Sequence, residues 1–521
     1  MEQPRRSLLS IAGLVAAATL LSKGIGFIRQ SLIAATFGSG SDYSAFAVAY
    51  VLPGFLLILL GGINGPFHSA MISVLKKRTD PNQSDWIDSI TTLVTCLLLG
   101  VTALLMVFAQ PLVVLMAPGA SSEVHRLAAE QLQIMAPLAV FAGLIGIGFG
   151  TLNAREQFLL PALSPLLSSL LVIVAIVIWG RSGQSQVLAW GTLAGAVAQW
   201  LVQVPVQARL GLGQLRICFA WGSPEVKTVG LLMLPAVISS GMVHINVYVD
   251  MFFASFVPGD RTIGNLGYAQ LLVQTPLGIL SNMVLVPLMP LYASLAVPDR
   301  WPEFRQRIRQ GVVLTALLIL PMSMLLSVLA QPIVQVAYER GRFTPDITQE
   351  VAALLTAYGV GMVFYLLRDV VVRIFYALED GQTPLRVSLL AIFLNAGLDW
   401  VGLKLFGAPG LALATAGVNA IALLVLGIAL QKRLGDLPWQ SITKVLGQLM
   451  VITLGSATCT WLTWQQLTAW GSTWGWLGHL AGACGAGIIG LLVFGIAAVL
   501  LRIPEVQELR NYGLTRLRKS E

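Results

Sequence analysis

The stretches LNAREQFLLPALSP (152–165) and FYALEDGQTP (375–384) decide how this chain is organised. Ala154, Glu156, Pro161, Leu166, Leu167 and Leu171 return as Ala377, Glu379, Pro384, Leu389, Leu390 and Leu394, each 223 positions later. Pro53 and Pro276 keep the same interval, as do Leu57 and Leu280. Leucine coincidences are cheap in an apolar chain, whereas prolines at equal spacing are less so. The interval predicts two copies of one helical unit.

The surroundings of the repeat are apolar. The chain is 56% hydrophobic and 11% charged, against roughly 25% charged in a soluble protein. About fourteen apolar segments are each long enough to cross a bilayer. They lie near 8–36, 43–75, 87–116, 128–151, 159–180, 186–207, 226–256, 264–295, 311–336, 349–377, 385–405, 409–430, 442–466 and 475–501. Six spans separate the copies, an even number, so both have the same orientation. Parallel repeats of this kind hold a substrate between their halves. The expected fold is all-α and polytopic. Residues 1–215 form a first six-helix lobe, 216–435 a second, and 436–521 two further spans with a tail. Pro53 and Pro66 are expected to interrupt span two, and Pro276, Pro287 and Pro290 span eight. Gly146/Gly150 and Gly191/Gly195 suit close helix packing.

The net charge of +8 raises nucleic acid as a partner, but its placement argues against it. With the N-terminus inside, 22 of the 32 basic residues fall on cytoplasmic connections and the ends. Five (Arg126, Arg181, Arg261, Arg340 and Arg342) face the other side. That asymmetry orients the chain with both ends in the cytoplasm and leaves anionic membrane lipids as a secondary contact. The start, with Arg5 and Arg6 before an apolar run, resembles a secretory signal but continues past Lys23, so a retained first helix is expected. Four cysteines show neither disulfide nor metal spacing.

Charged residues inside apolar spans are costly and mark pathways. Span one carries Lys23 and Arg29, parted by Gly24 and Gly26, and this pair suits an anionic group. Span ten carries Arg368, Asp369 and Arg373, either an internal ion pair or a substrate contact. Asn395 and Asp399 are four apart, on one helix face. With Asp250, Thr415 and the Leu411 carbonyl they offer the oxygen ligands of a hard cation, for which sodium fits better than calcium. His68 and His244 read as packing. No HExxH, GxSxG or Walker lysine occurs, and an enzyme is not expected.

LNAREQFLLPALSP, FYALEDGQTP, ERGRFT (339–344), APG (117–119) and GFIR (26–29) together resemble the MurJ (MviN) family of lipid II flippases. That family belongs to the multidrug/oligosaccharidyl-lipid/polysaccharide exporter superfamily. The resemblance covers nearly the whole chain. It implies a V-shaped two-lobe transporter of the bacterial inner membrane, working in peptidoglycan synthesis. A cationic cavity would take the pyrophosphate-sugar head of lipid II or a related polyprenyl-pyrophosphate sugar. A groove at spans thirteen and fourteen would take the polyprenyl tail, and other cell-wall synthesis proteins are possible partners. Arg29 matches one of two span-one cavity arginines, and Lys23 replaces the other. The family's sodium ligands match Asp250, Asn395, Asp399, Leu411 and Thr415, so sodium is expected as a coupling ion, with no other cofactor. The chain departs from the pattern elsewhere. The family's span-two arginine falls near Leu57, its span-eight Asp-Arg pair on Gln270 and Leu271, and two acids on Ser44 and Gln30. The alternatives are a flippase for another lipid-linked oligosaccharide, a cation or drug exporter of the same superfamily, and a degenerate cell-wall scaffold.

Overall fold

A computed structural model describes residues 8–62, 65–77, 83–180, 185–213, 216–219, 245–471, 475–501 and 503–507. His244 and Arg181 lie outside them. The described residues form helices joined by short turns, as hydrocarbon demands: a helix satisfies its own backbone hydrogen bonds where no water can. Among the described residues, eleven helices are long and apolar enough to cross a membrane, and a twelfth span results if one bent pair is counted. Of the fourteen expected spans, the first is the helix α1 (Leu8–Phe37), and the seventh is described as the short α11 (Ile245–Ala254). These two stand outside that count.

The chain divides into two compact units, Met1–Gly264 with Arg340–Phe343, and Asn265–Glu339 with Thr344–Glu521. The division falls inside a helix, later than the expected 215/216 boundary. The reason is local: the segment after α11 is tied to the first unit. The Ser255 hydroxyl accepts from Gly119 N at 3.0 Å, and the Asp260 carbonyl accepts from Ser44 Oγ at 2.6 Å. Spans thirteen and fourteen belong to the second unit.

In the first unit, α1 packs on α8 (Leu159–Trp179), which packs on α9 (Val187–Leu201). Span two is α2 (Ser41–Gly61) and α3 (Pro66–Lys77), span three α4 (Gln83–Val107) and α5 (Ala109–Met116), and span four α6 (Ser122–Met135) and α7 (Leu138–Ala154). Each of these spans is two helices rather than one. Span four bends by 40° at Ala136–Pro137, where proline cannot continue the hydrogen-bond ladder. The short α10 (Val204–Arg209) follows α9. Helix α7 is buried along nearly its whole length and packs against α2, α3 and α4. A side chain at Gly146 would collide with the Leu60 carbonyl, so the close packing expected there is real.

The second unit continues with α12 (Arg261–Leu295), α13 (Trp301–Val328), α14 (Ala330–Tyr338), α15 (Pro345–Ala377), α16 (Gln382–Phe406), α17 (Pro409–Leu434), α18 (Trp439–Gly471) and α19 (Gly475–Leu500). The expected interruption of span eight is not found. Helix α12 runs unbroken through Pro276, Pro287 and Pro290; a membrane helix tolerates proline when local adjustments satisfy the freed carbonyls. Helix α2 likewise runs through Pro53 and stops at Gly61, with Pro66 in the first turn of α3. Helix α17 is central, packed on both α15 and α16, while α18 and α19 pack on each other and attach through α13 and α14.

The repeat has a backbone counterpart. Glu156 and Glu379 both adopt left-handed conformations, with φ of 62° and 58°. The amide after each bonds back over the helix end: Gln157 N to Leu152 O and Asp380 N to Phe375 O, both at 2.9 Å. Each copy thus closes its helix with the same left-handed cap.

Candidate functional site

Helix α16 inverts the pattern of a soluble helix. Phe393, Trp400, Leu405 and Phe406 are exposed, whereas its buried residues are Pro384, Ala391, Asn395 and Asp399. The last three follow at four-residue steps, one face of the helix. A lipid-facing surface can be apolar at no cost, so polar groups retreat to the protein interior. Asn395 and Asp399 are completely buried, and Asn395 Nδ2 donates to Asp399 Oδ2 at 2.8 Å.

On α17 a second polar row runs along one face. The Thr415 hydroxyl donates to the Leu411 carbonyl at 3.3 Å, and Asn419 Nδ2 donates to the Thr415 carbonyl at 2.8 Å. Asn419 Oδ1 accepts from Arg368 Nη1 at 2.7 Å. Arg368 Nη2 donates to Asp369 at 2.9 Å, and its guanidinium lies 5.1 Å from the Tyr365 ring centroid. Of the two readings of this group, the internal ion pair is formed. Arg368 Nε is buried without a partner, so the guanidinium still has a donor to offer. Arg373 is exposed and makes none of these bonds. Asn419 and Tyr365 were not singled out from the sequence. Asn419 was findable, since it sits one turn beyond Thr415 and two beyond Leu411.

Asn395, Asp399, Leu411 and Thr415 lie on α16 and α17 of the second unit, and Asp250 lies buried on α11 of the first. Among the described residues no three His, Cys, Asp or Glu side chains gather as a metal cluster. The oxygens present are of mixed type: carboxylate, amide, hydroxyl and carbonyl. That chemistry fits a weakly held monovalent ion better than a divalent one.

In the first unit, Lys23 is exposed on α1 and Arg29 is half-buried, with its Nε buried and without a partner. The next residue, Gln30, donates from Nε2 to the Tyr43 hydroxyl at 2.6 Å. That bond brings α2 alongside α1 next to Arg29. Arg29 thus has donors left for an anion. His68 bonds Asn153 Nδ2 at 2.7 Å, a packing role.

Away from the spans, Asp380 anchors the start of α16. Its carboxylate accepts from Thr383 N at 3.0 Å and from the Thr383 hydroxyl, and Arg433 Nη1 lies 2.6 Å away. The Thr383 amide first, then its hydroxyl and Arg433, hold the carboxyl below its ordinary range.

Two units of apolar helices that bury polar groups define a multi-pass membrane protein. Solved structures agree on the fold. An inward-facing multidrug resistance MATE family transporter of the MOP superfamily superposes with a TM-score of 0.62 at 15% identity, covering 82% of this chain and 95% of its own. A structure titled "Lipid II flippase MurJ, inward closed conformation" gives 0.77 at 22% identity, covering 94% and 98%. Sequence narrows the class. The family described as "Lipid II flippase MurJ" matches residues 33–475, and a probable lipid II flippase MurJ of Synechocystis is 47% identical over 96% of both chains. The lipid II flippase MurJ of Burkholderia cenocepacia is 28% identical, covering 82% of this chain and 84% of its own. This chain belongs to the MurJ family.

Proposed function

We propose that this chain is a lipid II flippase, carrying the lipid-linked peptidoglycan precursor across the bacterial inner membrane from the inner to the outer leaflet. Near-full-length similarity to a MurJ at 47% identity carries the reading. Half-buried Arg29, with an unpartnered Nε, supports it. A guanidinium with free donors in a membrane span suits a pyrophosphate, and Lys23 adds positive charge on the same helix. Arg368 and Arg373 are further candidates from the charges within span ten, and the tail groove enters by family resemblance only. Both ends in the cytoplasm agree with the distribution of basic residues.

The carrier works by alternating access, with sodium as the coupling ion. The Asn395–Asp399 pair and the Leu411–Thr415 turn supply oxygens in the second unit, and Asp250 joins that set by the family pattern. Each unit charge that crosses the membrane is worth about 2.3 kcal/mol per 100 mV, enough to reset the carrier. The multidrug transporters of like fold favour a cation exporter as the second reading, but Arg29 and Arg368 have the wrong sign to receive a cation.

Complementation tests the proposal. The chain should rescue growth of cells depleted of their own lipid II flippase, and Arg29→Ala should not. Rescue should weaken when sodium is replaced by potassium. Normal lipid II turnover in cells that rely on this chain alone and are then depleted of it would reject the assignment.

A further inference from the structure

The face of α2 next to Arg29 is aromatic. Tyr43, Phe46 and Tyr50 are three and four residues apart, one stripe of the helix. Their rings are nearly parallel: Tyr43 and Phe46 lie 6.3 Å apart at 30°, and Phe46 and Tyr50 lie 5.6 Å apart at 16°. The three rings form one offset-stacked row rather than an edge-to-face cluster. Both ends of the row are fixed. The Gln30 amide bonds the Tyr43 hydroxyl. The Tyr50 ring fills the space of a side chain at Gly54, whose Cβ would meet Tyr50 Cε1 at 2.5 Å. Glycine at 54 is what lets that ring lie along the helix. Phe46 and Tyr50 remain half-exposed.

The fold does not require aromatic residues here. At the repeat interval the second unit has Leu266, Ala269 and Val273, all buried. In this chain α2 therefore offers flat rings beside the guanidinium of α1. A sugar ring joined to pyrophosphate presents the complementary pair: negative oxygens and, next to them, a flat face of C–H bonds. Aromatic side chains with a few placed polar groups are the usual lining of such sites.

We infer that Phe46 and Tyr50 form the platform for the sugar of the lipid-linked substrate, with buried Tyr43 anchoring their row, while Arg29 holds its pyrophosphate. The inference rests on the flippase reading and adds to it: α2 selects the sugar, and α1 selects the charge.

Binding by the full-length protein in nanodiscs tests it, with lipid II compared against undecaprenyl pyrophosphate, which lacks the sugar. Phe46→Leu with Tyr50→Leu should weaken lipid II about tenfold, the size expected when stacked rings are lost, and leave undecaprenyl pyrophosphate unchanged. Tyr50→Trp, which keeps a flat face, should retain lipid II binding. Equal weakening of both lipids, or of neither, would overturn the platform, as would a Tyr50→Trp protein that binds undecaprenyl pyrophosphate normally but loses lipid II. Arg29→Ala separates the two ideas. Undiminished binding of both lipids would remove the flippase site itself, whereas loss of both with no effect of the ring variants would remove the platform only.

Discussion

The two copies of the repeat share a backbone and differ in what they bury. Glu156 and Glu379 close their helices with the same left-handed turn. In the helix that follows, Val172 and Ile176 are buried in the first copy, and at the same interval Asn395 and Asp399 are buried in the second. Ile145, Gly146 and Ala196 of the first copy answer to Arg368, Asp369 and Asn419 of the second. The architecture dictates that these positions face inward, and the first copy shows that apolar residues satisfy it. The polar set of the second copy is costly in a membrane interior and is retained for something other than packing. The threonines teach the opposite lesson. Thr192 donates to the Leu188 carbonyl at 2.7 Å, as Thr415 does to Leu411. That bond is common to both copies, so Thr415 alone is no ion signature.

Exchanging residues between the copies breaks or sharpens the comparison. The largest effect is expected from Ile176→Asp, which buries a carboxylate in the first copy without the partner that Asn395 supplies in the second. It should cost roughly 3–5 kcal/mol and abolish accumulation of folded protein, measured by size-exclusion chromatography. The reverse exchange, Asn395→Val with Asp399→Ile, should accumulate normally and unfold no earlier, yet lose at least tenfold in flipping and all response to sodium. Intact sodium-dependent flipping in that variant would make the polar pair a packing accident.

Arg368→Ile, which installs the first copy's residue, strands Asp369 and Asn419. A loss of about 2 kcal/mol is expected from the unpaired partners, read as a lower melting temperature, and Asp369→Ala should restore part of it. If Arg368→Ile melts like the parent, the ion pair carries no structural weight. The cap at Asp380 has Gln157 as its counterpart and is a smaller device. Asp380→Asn should cost about 1 kcal/mol at neutral pH. Because the folded carboxyl titrates below its ordinary range, the parent's advantage is present above the unfolded value near 3.8 and fades as pH falls through the folded one. Melting curves of the two proteins should therefore converge only in strong acid; a constant difference down to that range would assign the effect to something other than charge. The smallest effect is the best matched. Glu156→Gly and Glu379→Gly each relieve a left-handed glutamate and should stabilise by about 0.5–1 kcal/mol. Unequal shifts would mean that the two turns share a shape but not a strain.

Much of this was legible before any coordinates. The 223-residue interval located the two connections that hold the left-handed turns, because a helix end of this kind involves a few neighbouring residues. The Asn395–Asp399 pair followed from the four-residue period. The charges within spans were visible because hydrocarbon makes them rare. Other features were not readable. Prolines could not say which helices break: α12 continues through three of them, while span four bends at Pro137. The boundary between units depended on Ser255 and Asp260, whose bonds reach residues far away in sequence. The aromatic row on α2 carries no clear signal in the sequence, because aromatic residues at helical spacing usually denote packing.

The sequence by itself determined that the chain is a membrane protein of repeated helices with a few charges inside them, because hydropathy, periodicity and basic-residue bias act locally or as simple sums. Only the tertiary structure decided that Arg368 is held by Asn419 and Asp369, that Tyr43, Phe46 and Tyr50 line up next to Arg29, and that positions 172 and 176 are as buried as 395 and 399. Which side chains meet depends on how helices far apart in the chain pack, and no local pattern encodes that.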